Sequence, residues 1–200
     1  MGFGLLFSGY ITLLFFKVLP PAMAVGAYLM YRALDKLSVY GKAFRAARAA
    51  SLALGIYYVL FTAIWIGRMA GLFNSVLSSN TFVVFDDVIY YALLLFLHVT
   101  LYAAIEGISK ECEYKKGIRS VRFARVLTAM FYVLTAGSIV LDLLSVGTIL
   151  PLLCFICQII WYIYTAIIIY GCYMRIATQE IIDDEEKKLA QYNAARKIKK

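Results

Sequence analysis

The chain has 200 residues, of which 63% are hydrophobic and only 16% charged, with a mean hydropathy of +0.79. A soluble domain carries about 45–50% apolar and about 25% charged residues, and here the apolar excess runs in long blocks, so a membrane protein is expected and a soluble globular domain is excluded. The net charge of +8 is not read as a nucleic-acid footprint, because the basic residues flank the apolar blocks on one side.

The first block, Phe3 to Leu19, is apolar except for Lys17 and runs into Pro20-Pro21. One helix over Phe3–Leu37 would be about 50 Å long, too long for a single crossing. Adjacent prolines remove two backbone donors, which predicts a hairpin of two short helices meeting at Pro20. Each is near the lower limit for spanning, so a re-entrant hairpin is the alternative; both readings leave Met1 and Ser38 on the same side. Ala22-Met-Ala24 looks like a cleavage site, but no Lys or Arg precedes the apolar core, which argues against a cleaved signal.

A basic segment containing Arg45 and Arg48 leads to a third helix, about Ala49 to Leu72, with Trp65 and Arg68 as anchors at its far end. Asn74 to Thr81 reads as a polar loop. The fourth helix, Phe82 to Ser109, holds Asp86, Asp87, Glu106 and His98, the only histidine. Lys110 to Ser120 reads as a charged loop, followed by a fifth helix (Val121 to Leu144) and a sixth (Ile149 to Ile176) with Pro151 in its first turn, where proline is tolerated. Asp142 with Ser145 is placed to cap or pair at the outer end of the fifth helix. The resulting organisation is a transmembrane domain over 1–176 and a charged, helical tail over 177–200.

Charge sets the orientation. The loops after helices two and four, together with the tail, hold 18 of the 20 basic residues; Lys17 and Arg68 are the exceptions. Six transmembrane helices in three hairpins, with both termini cytoplasmic, is the simple topology that gives this asymmetry. The fold class expected is an all-α polytopic bundle.

Two segments echo each other. Tyr31-Arg-Ala-Leu-Asp-Lys-Leu-Ser38 and Tyr102-Ala-Ala-Ile-Glu-Gly-Ile-Ser109 agree in residue type at six of eight positions, and arginines three apart follow each, Arg45/Arg48 and Arg122/Arg125. Either this is a parallel internal repeat, or membrane helix ends simply draw on a restricted alphabet.

On a helical wheel, Asp87, Tyr91, His98 and Tyr102 share one stripe of the fourth helix, with Glu106 at its edge. Ionisable groups in a membrane are costly and usually face a bundle interior or a wet cavity, so the stripe is a candidate path for a proton, ion or small solute, with His98 titrating near neutral pH. The plainer reading pairs Asp86 and Asp87 with Arg68 or Lys17 at the outer interface and Glu106 with Lys36 or Lys110 at the inner one. His98 is then left bonding a neighbouring helix. Arg45, Arg48, Arg119, Arg122 and Arg125 form basic clusters suited to anionic lipid headgroups.

Cys154-Phe-Ile-Cys157 has redox spacing, but an apolar helix gives neither thiolate stabilisation nor further ligands, so these cysteines read as packing. No HExxH, GxSxG, Walker loop or dinucleotide fingerprint occurs, and no cofactor or metal is expected.

The opening Gly2-Phe-Gly-Leu-Leu-Phe-Ser-Gly-Tyr10 and the later Tyr31-Arg-Ala-Leu-Asp-Lys-Leu37 resemble a group of multi-pass membrane proteins of Gram-positive bacteria that open with GFGLLF-x-GY. The resemblance covers about the first 40 residues. It implies a bacterial plasma membrane and carries no activity. Two functions follow as expectations: a small-solute, ion or proton permeation protein built on the fourth helix, or a non-transporting scaffold or accessory subunit with a membrane-protein partner or a second copy of itself. An intramembrane enzyme ranks below both, since no nucleophile–base pair is visible.

Overall fold

The structure, a computed structural model, describes residues 2–15, 18–71, 80–143 and 149–177, with side chains over the same ranges except 80–83, 139–143 and 177. Lys17, Ser145, the Asp142 side chain and the tail beyond 177 therefore lie outside what is described here. Every element among the described residues is helical. The α-helices are α1 (Phe3–Ile11), α2 (Pro20–Leu37), α3 (Lys42–Met69), α4 (Asn80–Glu111), α5 (Lys115–Leu143) and α6 (Leu150–Cys172). A 3₁₀ turn extends α1 over Thr12–Phe15, another follows α2 over Ser38–Tyr40, and a π turn continues α6 over Tyr173–Ala177.

The proline pair ends the first helix as its chemistry requires: α2 starts on Pro20, at first-turn positions that need no N–H donor. Two boundaries differ from the sequence reading. The basic segment before the third helix is itself helical, because Lys42-Ala-Phe-Arg-Ala-Ala-Arg-Ala-Ala is built almost wholly of strong helix formers. The charged stretch after the fourth helix also winds into α5 from Lys115, leaving only Cys112–Tyr114 between helices. Glu113, at φ 52, supplies the left-handed residue of that turn, and the Tyr114 N–H donates to the Ser109 carbonyl at 2.7 Å.

Each helix packs on its neighbours in sequence, and α1 packs on α6, so the six close into a ring. At α1–α2 the two backbones come close together. A Cβ on Gly9 would lie 2.6 Å from the Gly26 carbonyl oxygen, and one on Gly26 would collide with the Thr12 hydroxyl. Paired glycines of this kind let membrane helices approach backbone to backbone. One end of the ring gathers Gly2 against Leu37, Phe3 against Phe44, Gly4 against Tyr173 and Arg175 over the Tyr114 ring. The start of α1 and the end of α6 thus lie at the same end of the bundle as the basic clusters.

Three helices, α3, the Val84–Glu111 part of α4, and α6 with its π turn, are long and apolar enough to cross a membrane. Val25, Val59, Ile66, Val88, Val99, Val126, Val133, Ile160 and Ile167 stand exposed around the bundle, while His98, Gln158, Ser51 and Thr165 are buried. Apolar exposure on this scale would be a liability in water and is the normal state against lipid. The chain is an all-helical protein of membrane-protein character. By contrast α2 has 18 residues, about 27 Å at 1.5 Å per residue, against a hydrocarbon core of about 30 Å.

Candidate functional site: a sealed polar centre around His98

His98 sits midway along the apolar span of α4 and is fully buried. Its ring is bonded on both sides. Nδ1 lies 2.8 Å from the Leu94 carbonyl oxygen, which can only accept, so Nδ1 carries a proton. Nε2 lies 2.7 Å from the Tyr10 hydroxyl of α1. No carboxylate among the described residues bonds the ring, and the neutral tautomer, with Tyr10 donating to Nε2, satisfies both ring nitrogens. An unpaired cation at this depth would carry a large desolvation cost.

Four aromatic rings close over the imidazole. Trp161 of α6 lies 4.2 Å away between centroids, Tyr10 5.7 Å, Tyr102 5.8 Å and Tyr162, stacked, 5.9 Å. A second set of hydrogen bonds locks α4 to α6 just beneath. Trp161 Nε1–H donates to the Tyr102 hydroxyl at 2.9 Å, and the Thr165 hydroxyl donates to the Trp161 carbonyl at 2.9 Å. The Tyr102 hydroxyl therefore donates to Thr165 Oγ1, at 2.6 Å. Above the ring, the Tyr90 and Tyr162 hydroxyls lie 3.3 Å apart. The buried Tyr58 ring lies 6.3 Å from that of Tyr90.

The expected polar stripe divides. His98 and Tyr102 share the sealed centre. Tyr91 turns towards α5, its ring 5.7 Å from Phe131 and its carbonyl accepting from the Tyr132 hydroxyl at 2.6 Å. Asp87 is half-buried near the other end of the bundle. Beside it, Asp86 accepts from the Tyr57 hydroxyl of α3 at 2.8 Å, and Arg68 is exposed. Glu106 pairs with Lys110 at 2.8 Å on its own helix and with Arg125 of α5 at 2.6 Å. Of the basic cluster, Arg48 bridges to Asp35 at 2.6 Å, while Arg45, Arg119 and Arg122 are exposed.

Sequence reasoning found His98 and Tyr102 but missed Tyr10, Trp161, Tyr162 and Thr165. Those residues come from α1 and α6, and no local pattern marks a tyrosine as one that will point inward. Two described cavities flank the bundle. One is an apolar groove between α2 and α3, the other a polar recess between the α4–α5 turn and Arg175, and neither is lined by His98. Among the described residues no cluster of His, Cys, Asp and Glu could hold a metal ion. Comparison with family models, curated proteins and solved structures finds no match.

Proposed function

We propose that this protein is a non-transporting membrane scaffold or accessory subunit, a six-crossing bundle with both ends in the cytoplasm of a bacterial cell. The observation that carries the reading is the state of His98: both ring nitrogens hydrogen-bonded, the ring enclosed by Tyr10, Tyr102, Trp161 and Tyr162. A proton or solute path would need this group to face water and to connect with Asp87 or Glu106. Glu106 is instead engaged by two cations. The His98–Tyr10 bond ties α4 to α1, and the Tyr102 bonds to Trp161 and Thr165 tie α4 to α6, which suits groups that fix helix order. Buried polar contacts between membrane helices contribute about 0.6 kcal/mol on average and up to about 1.7. Partners would meet the bundle through its basic end or its exposed apolar faces.

Proton and small-ion flux into liposomes tests this. Purified wild-type protein should leave the passive leak of protein-free vesicles unchanged. A protein-dependent flux that His98→Ala abolishes would restore the permeation reading.

A further inference from the structure

The two echoing segments lie on hairpins built to one plan. In α2–α3 the acid of the shared motif, Asp35, pairs with Arg48; in α4–α5 the matching acid, Glu106, pairs with the matching arginine, Arg125. The same alignment superposes buried positions: Met23 on Leu94, Leu34 on Ile105 and Leu37 on Ile108 in the first helix of each pair. In the second helix, with six more residues between the motif and the arginines, Phe44 falls on Val121, Ala47 on Ala124, Ser51 on Thr128 and Leu54 on Phe131. A periodic buried face alone would be generic to packed helices; a shared motif whose acid pairs with the matching arginine of the next helix is not.

Two of the aligned differences change the space between the helices. Where the second has His98 and Tyr132, the first has Ala27 and Gly55. Tyr132 fills the space between its helices and bonds across to the Tyr91 carbonyl. A Cβ on Gly55 would meet only Ala27 Cβ, at 3.6 Å. The outcome is an open groove of about 390 Å³ along α2–α3, with Ala24, Ala27 and Gly55 as its floor and Leu52, Ile56 and Val59 among its walls. It follows α3 from Ser51 to Leu60, about 13 Å at 1.5 Å per residue, close to one leaflet's half of a core of about 30 Å.

One end of this groove is cationic. Tyr28 and Tyr31 line it, and Arg32 donates to the Tyr28 hydroxyl at 3.0 Å with its guanidinium over that ring. Arg48 lies one turn before Ser51 on α3, and exposed Arg45 one turn before that, against the single carboxylate of Asp35. We propose that the groove binds one anionic phospholipid of the leaflet on the basic side, its acyl chain along Ala27 and Gly55 and its phosphate at Arg32 and Arg45. An apolar slot as deep as a leaflet, opening on an excess of arginines, matches that chemistry. The inference holds whether or not the protein conducts solutes.

The test uses full-length protein in phosphatidylcholine nanodiscs doped with a phosphatidylglycerol that carries a photoreactive group in its acyl chain. We expect crosslinks mapping to α2 and α3. Gly55→Leu, which fills the slot, should reduce them at least about fivefold. Gly67→Leu, at a glycine with nothing within 4 Å, should leave them unchanged. If Gly55→Leu elutes aggregated, Arg32→Gln with Arg45→Gln serves instead. Those charges face the surface, and at about 1 kcal/mol each their loss should weaken labelling about fivefold per arginine. Labelling indifferent to these changes, equal labelling by a phosphatidylcholine probe, or crosslinks between two copies through the groove would overturn the proposal.

Discussion

At the scale of single residues, the hydrogen-bond pattern separates tyrosines that look alike in the sequence. Among the described residues Tyr10 supplies the only donor to His98 Nε2, so Tyr10→Phe strands a buried acceptor, and a loss of about 1–2 kcal/mol is expected in SDS or urea unfolding in micelles. Tyr58 is equally buried, but its hydroxyl has another tyrosine hydroxyl, that of Tyr90, as its polar neighbour. Tyr58→Phe strands no buried imidazole and should cost less than Tyr10→Phe. A comparable loss in both variants would show that ring packing, rather than the hydroxyl, decides. Legibility followed depth in the chain's own periodicity. His98 is visible because a lone histidine in the middle of an apolar run has few explanations. Tyr10 is not, because it lies in a short helix among 16 tyrosines, and only its packing against α4 from 88 residues away gives it a role.

At the scale of elements, the α1–α2 hairpin depends on Gly9 and Gly26. Gly26→Ala places a methyl group on Thr12 and close to the Gly9 carbonyl, which should cost about 1–3 kcal/mol as overpacking. Thr12→Ala in the same chain should recover part of that, since the hydroxyl clash goes while the contacts with the residue-12 Cβ at 2.6 Å and the Gly9 carbonyl at 2.8 Å remain. Full recovery, or no initial loss, would mean that the hairpin opens freely. The two ion pairs bind their hairpins unequally. Asp35 and Arg48 are 49% and 39% exposed, whereas Glu106 is only 14% exposed. Asp35→Asn should therefore cost under about 1 kcal/mol, and Glu106→Gln should cost more, leaving Arg125 and Lys110 without their carboxylate. The proline pair made the first break readable from sequence. The helix starts at Lys42 and Lys115 were not, because basic residues near a membrane resemble a loop by charge while alanine-rich spacing makes them helical.

At the scale of the whole molecule, the residues that read as a loop, a basic cluster and a helix end converge on one face, and the apolar surface wraps the rest. That face should be cytoplasmic. Cys112, the exposed member of the four cysteines, reports on it: an impermeant maleimide should label Cys112 in inside-out vesicles and spare it in right-side-out ones. Loss of solvent on one side and the Glu111 carboxylate push its thiol up, so labelling should speed up as pH rises through and beyond the ordinary thiol range. Labelling from the outside would reverse the topology. The fold class was legible because composition and block length are whole-chain properties. The ring closure of α1 on α6 was not, since it joins the two ends of the domain and no local signal encodes it. Because the chain has a single histidine, ¹⁵N-histidine labelling in bilayers gives one residue-specific view of the bundle centre. We expect one neutral tautomer at pH 7 with its proton on Nδ1 and slow exchange with water; a ring in rapid exchange with solvent, or one protonated on Nε2, would contradict a sealed core.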